Sequence, residues 1–328
     1  MKTISRFSLL PLEEMKTISR FSLLPLKGEL EGVSSLLACL VCCGFAAATL
    51  ATLTSCSEDD LDAETVVKDS TRPKTAFDLW LHKNYVETYN ISLKYRLEDM
   101  ETDFTYTLAP ADLTNSIRLA HIVLHTWLQA YDEVAGVDFT RQLAPKVFQF
   151  VGSPAFETDN RFMMGQAEGG MKITLFDVNE LKLTRSFLNN SYFQSIHHEF
   201  THILTQTKDY DTDYQKISEG LYEPASWYAS GKTETYALER GFISTYAMKE
   251  YNEDFAETLA FYLVYTPDEW QQKMNTAGTN GSAIIAQKLQ MIRSYMQTTW
   301  DIDIDDLRTV IQRRMDEIVN GSVNLDEV

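Results

Sequence analysis

Hydrophobic and polar positions along this 328-residue chain fall into three regimes. Val33 to Leu53 is uncharged, rich in leucine and alanine, and continuous rather than periodic. From Ser57 to about Thr75 the chain turns polar, acidic and poor in aromatics, which predicts a flexible tether. Beyond it, about 250 residues without a low-complexity break are enough to bury one core. Within this last region, β-branched and aromatic runs bounded by turn residues predict strands at Asn90 to Leu97, Lys146 to Val151 and Lys172 to Val178. Apolar spacing near 3.6 predicts helices at Leu113 to Val134, Tyr192 to Thr207, Tyr251 to Tyr265, Asp268 to Thr276, Ser282 to Thr299 and Ile304 to Val319. Strands gather early and helices late, which predicts an α+β fold rather than an alternating parallel one.

The apolar run has the length and small-residue end of an export signal, so residues 1–55 are expected to be a leader, 56–75 the tether and 76–328 the folded domain. A transmembrane helix is the alternative for about 20 apolar residues. Met1 to Leu12 recurs letter for letter at Met15 to Leu26, and translation is expected to begin at Met15 or later. All four cysteines, Cys39, Cys42, Cys43 and Cys56, fall at or before residue 56. A mature chain starting at Cys56 would have no second thiol, which excludes disulfides and cysteine nucleophiles from the domain. The leader holds five basic and four acidic side chains, so its loss takes the net charge from −18 to −19. So acidic a chain repels nucleic acid and anionic lipid.

Two motifs carry candidate chemistry. His198, Glu199 and His202 spell His-Glu-x-x-His on the Tyr192 to Thr207 helix. Histidines four apart share a helical face and can present two imidazole nitrogens to one metal, with the intervening glutamate beside it as a general base. Phe193, Ile196, Phe200, Ile203 and Leu204 form the opposite stripe and would grip the core. Fifty residues after His202, Asn252, Glu253 and Glu257 begin a second helix, with the two glutamates one turn apart on one face and Phe255, Leu259 and Tyr262 opposite. Ala256 and Ala260 would let the two helices approach closely. The chain has six histidines and none after 202, so a third ligand must be an acid or lie upstream. Thr205 and Lys208 stand where a metzincin needs glycine and histidine, which excludes that clan.

Other signals are weaker. His121 and His125 are four apart but lack an intervening glutamate, and are expected to be core or groove histidines. His197 points roughly 100° away from His198 and is expected to contact substrate or pack. Asp209, Asp211 and Asp213 lack the glycine and final glutamate of a calcium loop and are expected to be solvated. The 49 residues between the motifs, with Gly220, Pro224 and Gly231, could line a cleft or form a lid.

Several of these residues resemble known patterns. Leu53 to Cys56 resembles a bacterial lipobox, which implies a lipid on Cys56, and Ser57 to Asp60 resembles the acidic signal that takes lipoproteins of Bacteroidetes to the cell surface. The resemblance implies an outer-membrane lipid anchor. The Asn252 to Glu257 motif resembles the gluzincin pattern, which implies Glu253 as third zinc ligand and Glu257 as the acid fixing a ligating imidazole, with Asp254 the competing ligand. Tyr246, seven residues before Glu253, matches a stabilising tyrosine of toxin-type gluzincins, with Tyr251 the alternative. The run from Gly241 to Glu257, together with the lipobox, resembles a family of zinc-binding metallopeptidases among surface lipoproteins of gut Bacteroidetes. Membership would imply a zincin-like fold with a small mixed sheet, one Zn2+, Glu199 and Tyr246 as catalytic residues, and a protein or glycoprotein substrate. The rival reading is a non-catalytic surface module that holds a glycan or protein for an uptake system.

Overall fold

Phe77, Leu81, Tyr85 and Tyr89 are spaced four apart and all buried, which makes 76–89 one helix, α1, whose middle runs through a π turn at His82–Val86. Thr75 and Asp78 close a capping box at its start, and Asn90, at φ 56°, ends it in the left-handed region. This helix precedes the first strand and was not among the elements expected from the pattern. The computed structural model describes residues 73–98, 105–156, 162–163, 165–168 and 171–328. The expected leader, Cys56 and nearly all of the tether lie outside them.

After α1 come β1 (Ser92–Lys94), α2 (113–135, with a π turn at Leu124–Leu128) and α3 (Val137–Leu143). Then follow β2 (Val147–Phe150), the short pair β3 (Ala155–Phe156) and β4 (Phe162–Met163), β5 (Gly165–Glu168) and β6 (Lys172–Leu175). The main sheet has the order β1-β2-β6-β5, with β1, β2 and β6 parallel and β5 antiparallel to β6. The chain is thus α+β, mostly helical, around a small mixed sheet. Helices are nevertheless not confined to its second half: α2 and α3 form the crossover that a parallel β1-β2 pair requires.

The rest is helical. α4 (185–207) enters through a π turn at Asn189–Phe193, α5 (Asp213–Ile217) and α6 (Glu234–Glu239) are short, and α7 spans Tyr251–Val264. α8 (Pro267–Trp300) begins on a Thr266 capping box and is broken at Gly278, whose φ of 67° is not helical. The break gives the two separate helices that the pattern predicts. α9 spans Ile304–Val319 behind an Asp303 cap.

An aromatic cluster joins sheet and helices. The Trp127 ring of α2 stands edge-on to Phe200 of α4 at 5.3 Å and lies 5.6 Å from Phe148 of β2, while Tyr131 meets Phe200 at 5.0 Å. Rings of this size supply most of the apolar area that fixes α4 on the sheet. α4 packs in turn along α7. Every residue of α7 from Glu253 to Val264 is buried, including Asp254, where an amphipathic helix was expected. The reason is that neighbours surround it on all sides, with α4, α8, α9 and the turn at Tyr246–Met248 all in contact. Its acidic side chains remain inside because each finds a charged partner: Glu253 and Glu257 at His198, and Asp254 at Lys288.

Candidate metal centre

His198 and His202 project from one side of α4 because the stripe of Phe193, Ile196, Phe200 and Leu204, all buried, holds the other side in the core. α7 brings Glu253 opposite them. Glu253 Oε2 lies 3.1 Å from His198 Nε2 and 3.2 Å from His202 Nε2, and the two Nε2 atoms are 3.1 Å apart. Three donor atoms thus form a nearly equilateral triangle. Ligands at zinc distances in tetrahedral geometry would be separated by about 3.4 Å, so this triangle is close to one face of a zinc tetrahedron. Two imidazole nitrogens and a carboxylate oxygen are also a donor set suited to zinc. The residues therefore fit the ion.

The surroundings orient these groups. Glu257, one turn after Glu253, places Oε1 2.8 Å from His198 Nδ1, an ion-pair distance though off the line of the ring N–H. Ser244 donates to the other oxygen of Glu257 at 2.6 Å. Burial disfavours the charged form of His198, but Glu253 and Glu257 outweigh it and raise its pKa well above the usual value. Burial likewise opposes ionisation of Glu253, and its contacts with His198 and His202 hold it well below the ordinary carboxylate range all the same. Such a carboxylate is an anion at any working pH.

Glu199 is partly exposed and makes no hydrogen bond or ion pair with the described residues. Its charge acts on His198 and on Tyr246. Tyr246 lies in the turn before α7, and its hydroxyl donates to Glu253 Oε1 at 2.8 Å. It thus touches the carboxylate of the triangle. Burial and then the Glu253 charge keep its hydroxyl protonated.

The competing candidates go elsewhere. Asp254 forms a fully buried ion pair with Lys288 at 2.6 Å and faces away from the triangle. His197 is buried against Tyr131, whose hydroxyl is 3.1 Å from its Nδ1, so it packs. His121 contacts the Glu327 carbonyl and His125 contacts Glu317, and both tie α2 to the C-terminal part. The 49-residue segment is pinned down at several points: Tyr210 stacks on Phe255 at 4.2 Å, Trp227 stands edge-on to Tyr246 at 5.0 Å, and Glu223 accepts from Lys232 and Tyr236.

Sequence reasoning did not identify Ser244, Lys249 or Lys288. Lys249 donates to Glu253 Oε1 at 2.7 Å. Its four-residue spacing from Glu253 was a usable signal for an ion pair across the helix start. Nothing local marks Lys288, which reaches α7 from thirty-four residues away.

The chain matches the family described as "Putative zinc-binding metallo-peptidase" over residues 70–305. Among solved structures, a crystal structure of a protein of the same description from Bacteroides caccae is 43% identical, covers 80% of this chain and 99% of its own, and superposes with a TM-score of 0.70. No protein of curated function matches. With the family match spanning most of the described residues and the triangle formed from its own side chains, the chain belongs to the family of putative zinc-binding metallo-peptidases.

Proposed function

We propose that the protein is a zinc-dependent endopeptidase of gluzincin type, with a zincin-like arrangement of sheet and active helix. The observation that carries this reading is the 3.1 to 3.2 Å triangle of His198, His202 and Glu253 with the unpaired Glu199 beside it. Bound zinc would supply Lewis-acid polarisation of a carbonyl and lower the pKa of an attacking water toward about 7. Glu199 would take the water proton on its carboxylate and pass it to the leaving amine nitrogen. Glu257, beside Nδ1 of His198, would favour the tautomer that leaves the Nε2 lone pair toward the metal. Tyr246 would donate to a developing oxyanion only after exchanging its bond with Glu253.

A peptide substrate is supported by the sheet. β5 is its last strand among the described residues and runs beside α4, so its outer edge offers an extended chain the backbone partners of an added strand. Proteins or glycoproteins are the substrates proposed. The lipobox-like Cys56 supports display on the outer membrane through a lipid, and none of the described helices is long and apolar enough to cross a membrane.

Elemental analysis of the purified protein should find one zinc per chain, and Glu253→Ala should retain less than about a tenth of it, given that one of three protein ligands is lost. Glu199→Gln should keep the zinc and lose at least about a hundredfold in cleavage of a denatured protein such as casein. Equal cleavage by Glu199→Gln and parent would sink the catalytic reading in favour of a binding module.

A further inference from the structure

The two oxygens of Glu253 have different company. Oε2 meets both imidazoles, whereas Oε1 accepts from the Tyr246 hydroxyl at 2.8 Å and from Lys249 Nζ at 2.7 Å. Lys249 Nζ also donates to the Tyr246 oxygen at 3.2 Å. An ammonium has only donors, so the direction of this small network is fixed: Lys249 to Tyr246, and both to Glu253. Both donors come from the short segment between Gly241 and α7. That segment is itself held down, since Ser244 Oγ accepts from the Ala247 amide at 3.1 Å and the buried Lys288 donates to the Gly241 carbonyl at 2.7 Å.

We propose that Lys249 and Tyr246 form a two-donor clamp that restricts Glu253 to one ligating oxygen and so keeps a coordination position open for water and substrate. The proposal rests on the zinc reading above. A free carboxylate can bind a cation through either oxygen or both, and a second bond would fill a position that a hydrolytic centre must leave vacant. Charge-assisted donors on Oε1 compete for its lone pairs and leave Oε2 as the ligand. Lys249 is accordingly a positioning residue. Simple charge repulsion makes the contrary prediction: a cation about one turn from the metal should weaken binding, and its removal should tighten it.

The intact chain would be loaded with cobalt(II) in place of zinc, and the visible d–d bands recorded for the parent, Lys249→Met, Tyr246→Phe, the double variant and Lys249→Arg. Zinc affinity would be measured on the same proteins by chelator competition, with thermal unfolding of the metal-free forms as a folding check. The parent should give one cobalt per chain with intense four-coordinate bands. In the double variant the band intensity should fall several-fold, as expected for added coordination, and zinc affinity should drop roughly tenfold. Lys249→Arg should resemble the parent. Lys249 is partly exposed, so the single Lys249→Met change gives the same test at smaller amplitude if the double variant folds poorly. Unchanged bands, or tighter zinc binding, in folded clamp variants would overturn the clamp and leave Lys249 as a counter-ion of the metal-free carboxylate. A parent that takes up neither metal would overturn the zinc reading, and the clamp with it.

Discussion

Lys288 is the buried post on which the segment before α7 is fixed, and its replacement by methionine tests how much that post contributes. Its ammonium is fully buried, 2.6 Å from Asp254 Oδ2, 2.7 Å from the Gly241 carbonyl and 3.9 Å from the Phe242 ring centroid. Methionine preserves the stem and removes the donors. Asp254 is then left, equally buried, with the Tyr222 hydroxyl at 3.0 Å as its nearest donor. Breaking a buried pair by removing one partner costs about 3–5 kcal/mol, because the remaining charge is uncompensated. For a domain of this size that corresponds to a fall in melting temperature of about 10 °C. The measurement is urea unfolding of the metal-free protein, so that bound metal does not contribute its own stabilisation. Adding Asp254→Asn should recover more than half of the loss, since a neutral pair has no stranded charge. The reasoning fails if Lys288→Met costs less than about 1 kcal/mol, or if the two substitutions simply add, which would mean no coupling across the pair.

Burial holds the pKa of His197 down to about 3, against about 6.5 in an unfolded chain. The unfolded form therefore takes up a proton first as pH falls, and stability is lost below about pH 6.5, by about 2 kcal/mol at pH 5. His197→Gln should remove that slope, so its stability relative to the parent should improve by about 2 kcal/mol from pH 7 to pH 5, and parallel curves would refute the assignment. Gly281 brings α8 against the end of α6, where an added Cβ would lie 2.1 Å from the Leu238 carbonyl oxygen. Gly281→Ala should therefore cost at least about 1–3 kcal/mol in urea unfolding despite alanine's better helix propensity, and a stabilised variant would contradict the packing.

The motifs were legible because their geometry is local. A spacing of four puts His198 and His202 on one face of any helix, and the buried stripe on the other side follows from the same 3.6 period. The triangle closed on the expected glutamate, with Glu257 one turn behind it. Less local features were not read. α1 was overlooked although Phe77, Leu81, Tyr85 and Tyr89 carry a clear four-residue spacing. α7 was read as two-faced, with Glu253 and Glu257 on one side and Phe255, Leu259 and Tyr262 on the other, yet both faces are buried.

By itself, then, the sequence determined that His198 and His202 share a helical face, the helices that carry the candidate site residues and the mixed class of the fold, all of which depend on neighbours within a turn or two. Only the tertiary structure decided which glutamate oxygen meets the histidines and that Asp254 belongs to Lys288. Those outcomes depend on the packing of α4, α7 and α8 against one another. Contacts between segments separated by tens of residues leave no periodic trace in the chain.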